Sequence, residues 1–114
     1  MKVAIIGSRE LEIKDLSPYL PENCTEIVSG GARGIDTCAE NFAKANLLYS
    51  TIFLPDYKSY GRAAPIVRNK QIVEYADEVI AFWDGSSRGT KYVIDLCRKT
   101  NKKCTVIEIK PESI

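Results

Sequence analysis

Five short runs rich in β-branched residues recur along the chain, separated by segments whose apolar residues repeat at helical spacing. The runs are Val3–Ile6, Glu26–Ser29, Ser50–Leu54, Glu78–Trp83 and Thr105–Ile109, and they read as buried strands. An apolar stripe through Ile35, Cys38, Ala39, Phe42, Ala43 and Leu47 predicts one helix. Ile66, Val67, Ile72, Val73 and Ala76 mark a second, and Tyr92, Val93, Leu96 and Cys97 a third. Pro65 suits a first-turn position, and Thr100-Asn101 beside Lys99, Lys102 and Lys103 suits a helix end facing its negative dipole. Ile13 to Leu20 reads as a shorter, weaker helix broken near Pro18 and Pro21. Strand alternating with helix, with connections long enough for crossovers, predicts an α/β fold. Its sheet should be all parallel, covered on both faces and built from right-handed βαβ units.

At 114 residues and 12.7 kDa the chain suits one domain, hiding roughly two thirds of its unfolded surface without staples. Sixteen Lys and Arg against fifteen Asp and Glu leave a formal charge of +1, so any anion site must be local. The four cysteines, Cys24, Cys38, Cys97 and Cys104, lack zinc-site spacing and disulfide-scaffold density, and read as reduced, mostly buried small hydrophobes. There is no histidine, which removes Ser-His and Cys-His nucleophiles and His-rich metal sites. No metal and no required cofactor is expected. The first apolar run stops after Ile6, and no later run approaches the ~18 residues that span a bilayer. A cytoplasmic protein that does not engage membranes is the expectation.

Position carries the functional signal. Gly7-Ser8-Arg9 follows the first strand, Gly30-Gly31-Ala32-Arg33-Gly34 the second, Pro55 to Arg62 the third, and Asp84 to Thr90 the fourth. In a parallel sheet these loops share the carboxyl edge, where open α/β sheets bind ligands. Arg9, Arg33, Arg62 and Arg88 lie in the loops and Arg68 just inside the helix after Pro65, leaving Arg98 elsewhere. Guanidinium offers paired donors that match phosphate or carboxylate. The glycine loops can present backbone amides and helix N-termini to phosphate, or simply make tight turns. No P-loop and no GxGxxG is present.

The phosphate contacts expected at this edge are Gly7, Ser8, Arg9, Gly30, Gly31, Arg33, Gly34, Arg68, Ser86, Gly89 and Thr90. Asp36 and Glu40 lie one helical turn apart and serve either as catalytic carboxylates or as caps. Asp84 suits a ribose hydroxyl or a loop cap, and Tyr57, Tyr60 and Trp83 suit base stacking or, for Trp83, the core.

Together Gly7-Ser8-Arg9, Ser29 to Asp36, Arg68-Asn69, Ala76 to Phe82 and Gly85 to Thr90 resemble the SLOG superfamily, whose Rossmann-like members bind nucleotides and their derivatives. The similarity runs from Met1 to about Ile109 and looks strongest to the small single-domain bacterial branch of YspA-like or YpsA-related proteins. It implies a Rossmann-like three-layer sandwich with strand order 3-2-1-4-5, and a homodimer paired through helices flanking the site. Ser29 to Asp36 is similar to the glycine-rich loop of DprA, which binds single-stranded DNA. Arg68 and Gly89-Thr90 look like parts of the LOG-type phosphoribohydrolases, which release a base from a nucleoside monophosphate. The LOG motif PGGxGTxxE, set on Gly89-Thr90, places its catalytic glutamate at Val93, which cannot carry a proton. Asp36, Glu40 and Arg68 are what remains for catalysis. The leading expectation is a nucleotide-binding or sensing module, ahead of an N-glycosidic hydrolase. A single-strand nucleic-acid binder comes last, because no broad basic stripe exists to neutralise a phosphate backbone.

Overall fold

A computed structural model describes residues 1–32 and 34–110. The strands are β1 (Lys2–Gly7), β2 (Glu26–Ser29), β3 (Tyr49–Ile52), β4 (Glu78–Trp83) and β5 (Cys104–Glu108). The helices are α1 (Ile35–Ala45), α2 (Tyr57–Tyr60), α3 (Ala64–Tyr75) and α4 (Arg88–Lys99), with short 3-10 turns at Ser17–Tyr19 and Gly61–Ala63. All five strands pair in parallel in the order β3-β2-β1-β4-β5. The chain is therefore Rossmann-like: the parallel sheet is the one that the strand and helix alternation predicts, and its strand order is the one that the family resemblance implies.

The alternation of side chains along a strand divides the core in two. Ala4, Ile6, Val28, Val79 and Ala81 turn to one face and pack with Ile72, Val73, Val93, Ile94 and Cys97 of α3 and α4. Val3, Ile5, Ile27, Ile80 and Phe82 turn to the other and pack with Ile35, Ala39 and Ala43 of α1, joined by Leu11 and Leu16 from the β1–β2 connection. A strand buried on both faces has no polar side to display, which is why β1 and β4 read as unbroken apolar runs. Pro65 stands in the first turn of α3, and α4 ends at Lys99 with Thr100 as its C-cap, followed by Asn101 with a left-handed φ of 58°.

Four expectations fail. Ile13 to Leu20 forms no α-helix: Pro18 initiates a single 3-10 turn, and Leu11 and Leu16 cover the sheet from irregular chain. Burial is confined to the inner strands, since β3 and β5 form the sheet edges and stay largely open to solvent. Of the cysteines only Cys97 is buried, the other three being half-buried and all four free. The chain after β3, read as loop, also folds into α2, capped by Asp56, whose carboxylate accepts from the Ser59 N–H at 3.1 Å.

Phe82 lies at the centre of this arrangement, fully buried and edge-on to Tyr19 with ring centroids 5.1 Å apart. Truncation to Phe82→Ala empties the α1 face of the core and costs about 3–5 kcal/mol, read as a lowered urea midpoint in equilibrium unfolding.

Candidate functional site

Strand order reverses direction at β1: its crossover leads to β2 on one side, while β4 lies on the other. Loops leaving β1 and β4 therefore part company above the sheet and leave a crevice between them. A cleft of about 370 Å³ occupies that place. Ser8 and Arg9 after β1, Gly30 and Ala32 after β2, and Asp84 and Ser87 after β4 line it. Its apolar floor includes Ile6, Ile72 and Val93.

Three helices begin at this cleft. α1 contributes Asp36, α3 contributes Pro65, Arg68 and Asn69, and α4 contributes Gly89 and Thr90. Their N-cap residues, Gly34, Ala63 and Ser87, provide no side-chain cap. Ser87 has the hydroxyl for it but sets it 3.3 Å from the Thr90 hydroxyl instead. First-turn amides that lack a cap carry partial positive charge, and those of α1 and α4 lie at this cleft; at α3 the preceding 3-10 turn runs straight into the helix, the Ala64 N–H donates to the Gly61 carbonyl and Pro65 has no N–H.

The loop after β2 is shaped by Arg68. Its Nη1 donates to the Gly30 carbonyl at 2.6 Å and its Nε to Asn69 Oδ1 at 2.9 Å, so α3 holds β2's exit in place. Asp36 reaches the same point from α1, where its Oδ2 accepts from the Ala32 N–H at 3.1 Å. Gly30 is the residue that lets both approach: a Cβ there would stand 2.7 Å from Arg68 Nη1 and 3.0 Å from Asp36 Oδ2. Burial raises the Asp36 pKa above the ordinary carboxylate value, against the backbone hydrogen bond from Ala32 and the charge of Arg68, which pull it down.

The loop after β4 is tied by Asp84. Its Oδ1 accepts from the N–H groups of Ser86 and Ser87 at 2.9 and 2.8 Å, bonds that lower its pKa. These bonds give Asp84 the loop-cap role, and it lines the cleft as well. The Asp84 N–H donates to the buried Ser8 hydroxyl at 3.2 Å, joining the β1 and β4 loops across the cleft. Trp83 donates its indole N–H to the Ser87 carbonyl at 3.1 Å and packs against the core, so it too braces the loop.

The expected site residues divide accordingly. Gly7, Ser8, Arg9, Gly30, Arg68, Gly89 and Thr90 converge on the cleft, as do Asp36 and Asp84. Gly31, Gly34, Ser86, Glu40 and Tyr60 do not line it. Gly31 has a φ of 71° and lies against Leu54 and Ile52, while Gly34, at 76°, meets the Arg9 backbone so closely that a Cβ would be 2.5 Å from its carbonyl oxygen. Both glycines serve the turn, the plainer of the two sequence readings. Tyr57 and Tyr60 are exposed on α2, and Arg62 and Arg88 are exposed outside the cleft lining. Arg33 lies outside the described residues. Asn69 is a lining residue quoted only through the SLOG resemblance; its position one residue after Arg68, on a helix already placed at the edge, is the signal for it. Val93 is buried in the floor. Among the described residues no group of three or more potential metal ligands gathers, and no helix is long and apolar enough to cross a membrane.

Asp36 gives the site a pH signature. Because folding raises its pKa, the neutral acid is the form the folded chain prefers. The stability this provides is complete below the unfolded value of about 4 and is lost as pH rises through the folded value. Asp36→Asn keeps an oxygen for the Ala32 amide without the charge. Thermal unfolding across pH should show wild type losing stability relative to this variant as pH climbs from about 4. A constant difference would contradict the assignment.

Compared with known proteins, the chain matches no family model, no curated protein and no solved structure.

Proposed function

We propose that this cleft binds a nucleotide or a phosphorylated nucleotide derivative, and that the chain is a SLOG-type ligand-binding or sensing module. The observation that carries the reading is the meeting of the N-termini of α1 and α4, neither with a side-chain cap, beside Arg68 at one crevice. Helix N-termini attract phosphate through their amides and dipoles, and Arg68 adds a full positive charge. The Thr90 and Ser87 hydroxyls supply further donors to anionic oxygens. A volume of about 370 Å³ suits a small ligand, with the phosphate against the helix ends and the sugar or base over Ile6, Ile72 and Pro65.

The hydrolase reading rests on one observation, a buried carboxyl with a raised pKa next to Arg68 in the same cleft. Against it stands Val93, an apolar side chain at the position where the LOG-type motif carries its glutamate. Binding without turnover accounts for both, with Asp36 holding the Ala32 amide and Arg68 facing the anion.

Thermal shifts against nucleoside mono-, di- and triphosphates, ADP-ribose, NAD, ribose 5-phosphate and a short oligonucleotide test this reading. At one hundred times its Kd a ligand adds about 2.7 kcal/mol, a rise in Tm of roughly ten degrees for a domain of this size. The rise should appear for a subset of phosphorylated compounds and disappear in Arg68→Ala and in Thr90→Val, the second of which exchanges only a hydroxyl for a methyl group. No rise for any compound overturns binding. Base release detected by chromatography, and lost in Asp36→Asn, would replace binding by hydrolysis.

A further inference from the structure

The two edges of the sheet are built differently. Around β5 the chain carries Glu108 and Lys110, charges of the kind that keep an exposed edge from pairing with another strand, while Lys102 and Lys103 turn back to the Ala76 carbonyl and to Glu78. Around β3 there are none: from Ala45 to Pro55 eleven consecutive residues lack a charged side chain. Tyr49 and Phe53 donate their backbone N–H groups to the carbonyls of Thr25 and Ser29 at 3.1 and 2.9 Å. The intervening Ser50 and Ile52 consequently turn their N–H and C=O groups away from β2, toward the open edge.

Exposed apolar residues collect along the same stretch of chain. Of the ten large apolar side chains exposed among the described residues, seven lie between residues 47 and 66. Tyr49 is 77% exposed and Leu47 95%, and Leu47 also holds a left-handed φ of 55°, where glycine or asparagine would fit with less strain. Leu47, Tyr49, Ile52 and Leu54, on β3 and its two flanks, present on the order of 600 Å² of surface, against the roughly 800 Å² that one partner gives to an interface of standard size.

From this we infer that β3 is a dimerisation edge, pairing antiparallel with β3 of a second copy about a two-fold axis. Two five-stranded sheets then form one of ten. A second copy is the occupant that the geometry specifies: an uncharged edge is complementary to itself, and a two-fold axis brings the same outward groups of Ser50 and Ile52 opposite each other. The charged β5 edge stops growth there, so assembly closes at two. The interface also borders the glycine loop, because Ile52 and Leu54 are the side chains packed against Gly31. The helices that the family resemblance implicates in pairing take no part in it.

Mass determination by light scattering during gel filtration, at high micromolar concentration, tests the inference. Wild type should run at twice the 12.7 kDa chain mass. Ile52→Lys, which opposes two charges across the axis, should halve that mass, and so should Tyr49→Glu, at a position so exposed that folding is unaffected. Thr105→Lys on the opposite edge should remain dimeric, with circular dichroism confirming the fold of all three variants. A wild-type monomer would overturn the inference and assign the edge to a different partner. A dimer surviving both β3 substitutions would overturn it in favour of helix pairing, and open-ended aggregates would overturn closure at two. None of these results depends on nucleotide binding.

Discussion

The position of β1 between β2 and β4 is the constraint on which the cleft depends. Parallel strands joined by right-handed crossovers bring every carboxyl end to the same edge, and the change of direction at β1 prevents one loop from lying over the next. Burial of Val3 to Ile6 on both faces fixes that strand in the centre of the sheet. Gly7 then ends it where α1 passes closest, since a Cβ would stand 2.5 Å from Ile35 and 2.8 Å from the Phe82 carbonyl oxygen. A glycine at this point is thus a packing requirement that also opens the floor of the cleft.

Above the sheet, the three loops are fastened by hydrogen bonds within the chain. Arg68 fastens the β2 loop to α3, Asp84 folds the β4 loop onto its own amides, and the Ser8 hydroxyl joins the β1 and β4 loops. Such prior fastening reduces the ordering that binding requires, and it leaves helix amides facing the volume between the loops. The polar groups that do the fastening are the conspicuous ones in the sequence, so a conspicuous residue is as often a brace as a contact. Asp84 and Trp83 are braces; Gly89, with no heavy atom within 4 Å of where a Cβ would lie, stands beside open space.

Legibility followed the strength of the local pattern. The spans of β2 and β4 are those of the apolar runs that announce them, and the three long helices follow their stripes, because burial on two faces leaves so little freedom in side-chain choice. The edges were harder. Ser50 to Leu54 looks like a core strand by composition, and only its place in the sheet order exposes it. Among the glycines, Gly30 at the cleft and Gly31 beside it are indistinguishable in sequence; which one faces Arg68 is decided by backbone direction, with Gly31 at a φ of 71° turned toward Leu54. Cys97 and Cys104 likewise look alike, yet one is on the buried face of α4 and the other at the start of an edge strand.

Amide chemical shifts report, residue by residue, where an anion meets the chain. In a ¹⁵N-labelled sample titrated with AMP, the account predicts saturable shifts at Ser8, Ala32, Gly89 and Thr90, with the amides of β5 unmoved. Saturating AMP, ADP-ribose and ribose 5-phosphate without movement at those four amides, or with shifts gathered at another surface, would contradict it.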